Sequence, residues 1–285
     1  MIASVLSGQV RRGIEEFLLT TFPVTTPLFQ QSLPELLRRE GSVFRGPYLS
    51  LKLPFRTGEK GVRYFPEVLP EGFRPHRHQE RAFERLAGPD RLSTILATGT
   101  GSGKTEGFLY PILDHCAREA GRPGVKAVVV YPMNALATDQ AKRFARAIEA
   151  SPALKGKVTA GLYVGGIGLE TRKTMGPDDV ITDRETMRAS PPDILLTNYK
   201  MLDYLLIRPE DVRLWQGNGP ETLRFLVVDE LHTFDGAQGA DLACLIRRLK
   251  ARLRAPERHL WGIGTAATLV SADLRTRGSG KEPTR

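Results

Sequence analysis

A glycine-rich stretch between an apolar run and an amphipathic pattern constrains this chain more than any other feature. The stretch runs from Ala97 to Glu106 and reads ATGTGSGKTE. Leu92–Leu96 precede it, and Phe108, Ile112 and Leu113 follow it at helical spacing. A strand, a glycine-rich turn and a helix in this order predict a loop whose backbone N–H groups converge on an anion, next to the positive end of the helix.

Two side chains at the end of this loop suit a nucleoside triphosphate. Lys104 can reach the β- and γ-phosphates, and the Thr105 hydroxyl can ligate Mg²⁺. Gly-Lys-Thr also occurs by chance in polar loops, but the flanking strand and helix argue against that alternative. The loop residues expected to contact the nucleotide are Thr98, Gly99, Thr100, Gly101, Ser102, Gly103, Lys104 and Thr105.

A second strong pattern is an apolar strand that runs directly into two acids. Phe225–Val228 precede Asp229 and Glu230, and ligands of open α/β sheets bind at the carboxyl ends of the strands. Asp229 would hold Mg²⁺ together with Thr105, and Glu230 would orient and polarise the attacking water. His232 would sense the γ-phosphate, and Lys104 completes the predicted catalytic set. The alternative is an acidic strand end exposed to solvent.

Gln79 lies at the start of a predicted helix about two dozen residues before the glycine-rich loop. A glutamine amide both donates and accepts, so it can pair with N6 and N7 of adenine together. Gln79 would therefore select ATP. A surface helix start beside two exposed histidines is the alternative, since His76 and His78 lack the companions that a metal site needs.

Three further strand ends carry small or hydrogen-bonding residues that suit the phosphates of a nucleic acid. Each pattern alone is also a common strand-to-loop junction. The predicted nucleic-acid contacts are Pro132, Asn134, Ala135, Gly165, Gly166, Thr197 and Asn198. Residues 167–192 are polar and rich in turn formers, which predicts an exposed, mobile loop.

The composition is that of a soluble globular protein, with 41% hydrophobic and 26% charged residues among 285. No apolar run approaches the roughly 20 residues that span a bilayer, and the N-terminus lacks the pattern of a secretory signal. Cys116 and Cys244 have no partner spacing and are expected to be core thiols. We therefore expect a cytoplasmic protein without a membrane partner.

The formal net charge of +9 fits a polyanionic partner. However, residues 246–285 hold ten Lys and Arg against three Asp and Glu, and many of these lie on the outer face of one predicted helix. Because a solvated face explains them equally well, the charge supports nucleic-acid binding only mildly.

The chain divides into three predicted parts. Residues 1–70 form an accessory region with helical periodicity at Val10–Leu19 and Leu33–Leu37 and an extended piece at Gly46–Phe55. Residues 71–270 carry every motif and predict an α/β domain with a mostly parallel sheet and helices on both faces. Residues 271–285 are polar and are expected to be disordered or to mark a truncation.

Taken in order, these motifs resemble the first RecA-like lobe of a superfamily 2 helicase of the DExH type. The strings YPMNALATDQ and DELHTFDGAQGADLACLIRRL are similar to large bacterial helicase-like ATPases of DNA repair and phage defence. The general phosphate-loop pattern has glycine at the position of Thr98. Helicase-type loops also lack this glycine, so the departure favours the resemblance. The resemblance implies a P-loop NTPase fold, ATP and Mg²⁺ as cofactors, a nucleic-acid partner with DNA favoured over RNA, and coupling roles for Thr265 and Thr268.

Two departures from this family pattern affect the expected activity. Ala266-Ala267-Thr268 stands where relatives have Ser-Ala-Thr, and no second-lobe motifs follow Leu269. We therefore expect a truncated or frame-interrupted product, or half of a split enzyme, that needs a second-lobe or defence or repair partner. The alternatives are a nucleotide-responsive binding subunit with little turnover, and a phosphate-loop ATPase of transport or assembly.

Overall fold

A computed structural model describes residues 3–39, 41–42, 54–59, 64–87, 92–166 and 170–267. The chain divides into two compact units, residues 1–54 and 55–285. The first unit contains helix α1 (Ala3–Thr21), a 3-10 turn (Pro27–Phe29) and helix α2 (Ser32–Arg38). Both predicted helices are present, whereas most of the predicted extended piece at Gly46–Phe55 lies outside the described residues. An accessory role for this region stays a prediction.

The second unit is built on a six-stranded sheet in which every pair of neighbouring strands is parallel. The strand order is β1-β6-β5-β2-β4-β3. The strands are β1 (Thr94–Ala97), β2 (Ala127–Tyr131), β3 (Ala160–Tyr163), β4 (Ile194–Asn198), β5 (Phe225–Val228) and β6 (Trp261–Ala266). Because all strands run the same way, their carboxyl ends meet at one edge, and this edge carries the predicted site.

Helices cover both faces of the sheet, as predicted. The helices are α3 (Arg77–Ala87), α4 (Lys104–Arg118), α5 (Asn134–Ala150), α6 (Arg184–Ala189), α7 (Tyr199–Ile207) and α8 (Gly236–Leu253). Strand β2 shows how the alternation of side chains builds two cores. Val129 and Tyr131 pack with α3, α4 and α5, whereas Val128 and Val130 pack with α6, α7 and α8.

The segment expected to be an exposed loop is folded onto the sheet over its second half, so that prediction is wrong there. Val180 and Ile181 are buried, and so is Met187 on α6. Ile181 pairs with Gly161 of β3 through a parallel bridge. Val180 and Ile181 form only a two-residue apolar pair between polar residues, and Met187 stands alone, so no periodic pattern in the sequence reveals them.

The two cysteines differ in burial. Cys116 on α4 is fully buried, as predicted, whereas Cys244 on α8 is exposed. The buried face of α8 includes Leu242, Leu245 and Leu249. Cys244 is next to Leu245 in sequence but points to the opposite, exposed side of the helix. The prediction of a core thiol at Cys244 is therefore wrong. None of the helices in the described part of the chain is both long and apolar enough to cross a membrane.

Candidate nucleotide site and nucleic-acid surface

The loop between β1 and α4 has the backbone that a phosphate-binding loop requires. Gly101 and Gly103 have φ of 78° and 76°, a region that glycine enters without steric cost. Gly103 is the residue directly before α4. The loop therefore delivers its N–H groups and the positive end of a fifteen-residue helix to one place.

Polar side chains hold this loop closed on itself. The Lys104 ammonium donates to the carbonyl oxygens of Thr98 and Gly99, at 2.9 and 3.4 Å. The hydroxyls of Thr98 and Ser102 are 2.6 Å apart and hydrogen-bonded. The carbonyl oxygens of Thr98 and Gly99 thus hold the Lys104 ammonium against the loop, and the hydroxyl pair ties Thr98 to Ser102.

Gln79 is bound to the loop rather than left free at a surface helix start. It is 3% exposed, its Nε2 donates to the Gly103 carbonyl oxygen at 2.8 Å, and its Oε1 accepts from the His76 N–H at 2.8 Å. The amide keeps one further N–H and one further lone pair. Pairing with adenine stays a prediction, but a direct contact between Gln79 and the phosphate loop is present.

Asp229 and Glu230 stand at the carboxyl end of β5, where the sequence predicts them. The buried Thr265 hydroxyl donates to the Asp229 carboxylate and accepts from the Glu230 N–H at 3.0 Å. Burial raises the pKa of Asp229, and the hydrogen bond from Thr265 acts in the opposite direction. Thr265 therefore contacts both acids. Its coupling role stays a prediction, and Thr268 lies outside the described residues.

His232 lies just outside this arrangement. Its Nδ1 is 3.3 Å from Glu230 Oε2, and its side chain is 38% exposed. It follows Glu230 in a short 3-10 turn, Leu231–Thr233. The His232 ring therefore contacts the Glu230 carboxylate, and its contact with a γ-phosphate stays a prediction.

One cavity of about 480 Å³ brings the two strong motifs together. Its lining includes Gln79, Thr100, Gly101, Ser102, Gly103, Lys104, Thr105, Asp229 and Glu230. Glu106 Oε2 is buried and has no hydrogen-bond partner among the described residues, and the buried Glu230 Oε2 has only the approach of His232 Nδ1 at 3.3 Å. Buried acceptor oxygens beside a hydroxyl and a second carboxylate are the ligand chemistry of a hard cation, so the residues present fit Mg²⁺ held by Thr105 and Asp229.

Part of this cavity is formed by residues that no sequence motif indicates. Phe73, His76, Gln140 and Arg143 also line it. Arg143 forms an ion pair with Glu106 and donates to Thr105 Oγ1 at 3.2 Å. A single arginine on a helix carries no sequence signal that it faces a loop 38 residues away.

A chain of amide hydrogen bonds joins the predicted nucleic-acid contacts. Asn134 Nδ2 donates to the Gly165 carbonyl oxygen, and Asn198 Nδ2 donates to Asn134 Oδ1, both at 2.6 Å. Asn198 also accepts from the Met201 N–H and caps α7. The ends of β2, β3 and β4 are thereby fixed relative to one another, with Asn134, Ala135 and Gly166 exposed and Pro132 partly buried.

Thr197 does not belong to the surface that the sequence predicts. It is fully buried, and its hydroxyl donates to the Tyr163 carbonyl oxygen at 2.7 Å. Strand alternation turns it inward where Asn198 turns outward. In this structure Thr197 stabilises the end of β3 and presents no group to a nucleic acid.

A phosphate loop whose lysine and threonine line one cavity with an Asp-Glu pair, at the carboxyl edge of a parallel sheet, defines a P-loop NTPase domain of the RecA-like type. A DEAD/DEAH box helicase family model matches residues 76–275. The chain belongs to the DEAD/DEAH box helicase family, and it corresponds to the ATP-binding lobe of these proteins.

Similar proteins are much longer than this chain. The Druantia protein DruE of Escherichia coli is 30% identical over 84% of this chain, which spans 19% of DruE. A crystal structure of the DUF1998 helicase MrfA bound to DNA and AMPPNP is 25% identical with a TM-score of 0.57, covering 76% of this chain and 28% of that one. The helicase Lhr of Mycobacterium smegmatis, bound to ssDNA and AMP-PNP, is 27% identical with a TM-score of 0.51, over 74% and 25%.

Proposed function

We propose that this chain binds ATP and Mg²⁺ and hydrolyses ATP in response to a nucleic acid, as the first lobe of a motor that moves along or remodels its nucleic-acid partner. The observation that carries the proposal is the single cavity in which Lys104 and Thr105 face Asp229 and Glu230. Membership of the helicase family supports the use of ATP. Phosphoryl-transfer enzymes normally bind ATP together with Mg²⁺.

The four residues divide the chemistry among them. The loop N–H groups and Lys104 bind and neutralise the phosphates, which stabilises charge that develops during phosphoryl transfer. Thr105 and Asp229 would hold the metal ion, which would neutralise part of the phosphate charge. Glu230 orients the attacking water and accepts its proton. Thr265 keeps the two acids in register.

We propose DNA as the nucleic acid, bound at the ends of β2, β3 and β4. The structures of MrfA and Lhr, which this chain is similar to, contain DNA and ssDNA. The amide chain from Gly165 through Asn134 to Asn198 supports this surface, because amides and backbone N–H groups are common contacts to phosphates and sugars. A cytoplasmic location is proposed with this role.

We further propose that a second RecA-like lobe from outside these 285 residues completes the motor, either as further sequence or as a protein partner in repair or defence. In well-studied NTPases an arginine supplied to the γ-phosphate raises the rate by about 10³–10⁵-fold. Full turnover is therefore expected only when such a lobe is present.

The test is ATP hydrolysis by the purified chain, with and without single-stranded DNA or RNA. Lys104→Ala is expected to abolish nucleotide binding because the phosphate charge loses its partner. Glu230→Gln is expected to keep binding and to lose turnover, since an amide cannot accept the proton.

A Glu230→Gln variant with undiminished hydrolysis would contradict the role of Glu230. Binding of ATP without turnover, even with nucleic acid present, would favour the nucleotide-responsive binding subunit. A rate of ATP hydrolysis that is unchanged by DNA and by RNA would favour an ATPase of transport or assembly.

A further inference from the structure

A cluster of polar side chains connects helix α5 to the phosphate loop. The Arg143 guanidinium donates from Nη1 to Thr105 Oγ1 at 3.2 Å and to Gln140 Oε1 at 3.4 Å. Its Nη2 forms an ion pair with the Glu106 carboxylate. The Arg143 side chain is 40% exposed and the Glu106 side chain 21%. One planar fork thus binds the predicted metal ligand and the acid next to it in sequence.

Glu106 places a negative charge beside the loop that has to bind phosphates. A Cβ added at Gly103 would lie 3.0 Å from Glu106 Oε2, and this oxygen is buried with no hydrogen-bond partner among the described residues. A lone carboxylate there would oppose the binding of a polyanion. Arg143 offsets that charge, since a guanidinium stays protonated at every physiological pH.

We propose that Arg143 is a positioning residue of the nucleotide site, which neutralises Glu106 and orients the Thr105 hydroxyl toward the metal ion. The inference rests on the proposed function, because it concerns the affinity for Mg²⁺ and ATP. Residues that orient a metal ligand typically change metal affinity by about 10–100-fold when they are removed. Arg143 fixes Thr105 by donating a hydrogen bond to its hydroxyl oxygen.

The same helix carries the predicted nucleic-acid contact. Asn134 is the first residue of α5, and its side chain is hydrogen-bonded to the Gly165 carbonyl oxygen and to Asn198. Helix α5 is a continuous seventeen-residue helix, so if a bound nucleic-acid strand shifts its first turn, the helix would carry Arg143 with it. Arg143 therefore links nucleic-acid binding to the nucleotide site, and the link appears as a change in nucleotide affinity when a strand is bound.

The experiment measures the dissociation constant of a fluorescent ATP analogue for the full chain over a series of Mg²⁺ concentrations. Arg143→Gln is expected to weaken binding by about tenfold or more. Arg146→Gln is the matched control, because Arg146 lies on the same helix but forms an exposed pair with Asp178. The control is expected to bind like the wild type.

Two further variants separate charge from a damaged fold. The double variant Glu106→Gln/Arg143→Gln removes both charges and is expected to bind more tightly than Arg143→Gln alone. Arg143→Lys keeps the charge but has a single ammonium that cannot serve Glu106 and Thr105 with fixed geometry, and intermediate affinity is expected. Thermal unfolding identifies any variant that has lost its fold, and the double variant then decides.

The inference is overturned if Arg143→Gln binds the analogue as tightly as Arg146→Gln does, or if the double variant binds no better than Arg143→Gln. Single-stranded DNA is added to test the link, and equal ratios of affinity with and without DNA in the wild type and Arg143→Gln would overturn it. A wild type that binds no analogue overturns the proposed function itself, which distinguishes that failure from the failure of Arg143 alone.

Discussion

At the scale of single residues, Glu230 combines its predicted role with an unfavourable backbone. Its φ of 49° lies in the left-handed region, which costs a residue with a side chain about 1–2 kcal/mol. Such strain persists only where neighbouring contacts fix it. Thr265 supplies one of these contacts by accepting from the Glu230 N–H while donating to Asp229.

Replacement of Thr265 by valine is expected to lower both stability and ATP turnover. Valine keeps the shape but leaves the Glu230 N–H and the buried Asp229 carboxylate without this partner, at about 1–3 kcal/mol for each unsatisfied group. Thr265→Ser keeps the hydroxyl and is the matched control. Chemical unfolding and ATP hydrolysis of the two variants provide the measurement, and equal behaviour of valine and serine would rule out the hydroxyl bridge.

His259 predicts how stability depends on pH. Its Nε2–H donates to the Glu221 carbonyl oxygen at 2.8 Å, and Nδ1 pairs with the Arg224 guanidinium. Burial, followed by the charge of Arg224, lowers the pKa of His259 from its ordinary value of 6.5. As the pH falls below 6.5, His259 is therefore protonated more readily in the unfolded chain than in the folded one.

The contribution of His259 to stability is thus present above its unfolded pKa and is lost as the pH falls toward the lowered folded pKa. His259→Gln keeps an amide donor but cannot be protonated. We expect its unfolding midpoint to fall less steeply than that of the wild type between about pH 7 and about pH 5. Parallel curves for the two proteins would show that His259 does not titrate differently on folding.

At the scale of the elements, the predictable parts are those whose chemistry is contiguous in sequence. The loop before α4 and the acids after β5 each combine an apolar run with polar residues at fixed offsets, so both were identified. Arg143, which no sequence pattern indicates, and Thr265, which only the family resemblance indicates, act through contacts between different elements. Register across β5 and β6 brings Thr265 to Asp229, and that register is set by packing rather than by a local pattern.

The junction of loop and helix predicts the effect of a single methyl group at Gly103. A Cβ there would lie 2.5 Å from Gln79 Nε2, in addition to the cost of a φ of 76°. Gly103→Ala is therefore expected to displace Gln79 and to weaken nucleotide binding, besides losing about 1–2 kcal/mol of stability.

Gly121→Ala is the matched control for Gly103→Ala. Gly121 has a φ of 83°, and a Cβ there would meet nothing within 4 Å. Both variants are expected to lose similar stability in thermal unfolding, whereas only Gly103→Ala loses nucleotide affinity. If both variants bind nucleotide equally well, the contact between Gln79 and the loop has no part in binding.

At the scale of the whole molecule, charge and the nucleic-acid surface are separate features. The chain carries a formal net charge of +9, but the side chains that the structure joins at the ends of β2, β3 and β4 are the uncharged amides of Asn134 and Asn198. Attraction of a polyanion and its positioning are therefore expected to depend on different residues.

A salt titration of binding to single-stranded DNA separates these contributions. For single strands, the logarithm of the affinity falls with the logarithm of the salt concentration by about 0.7 per phosphate neutralised. Asn134→Ala removes a neutral contact, so we expect a weaker affinity at every salt concentration with an unchanged slope. Arg247→Gln, on the exposed face of α8, is expected to change neither affinity nor slope. A shallower slope for Arg247→Gln would instead place the strand on the basic face of α8, and an unchanged affinity for Asn134→Ala would remove it from the ends of β2, β3 and β4.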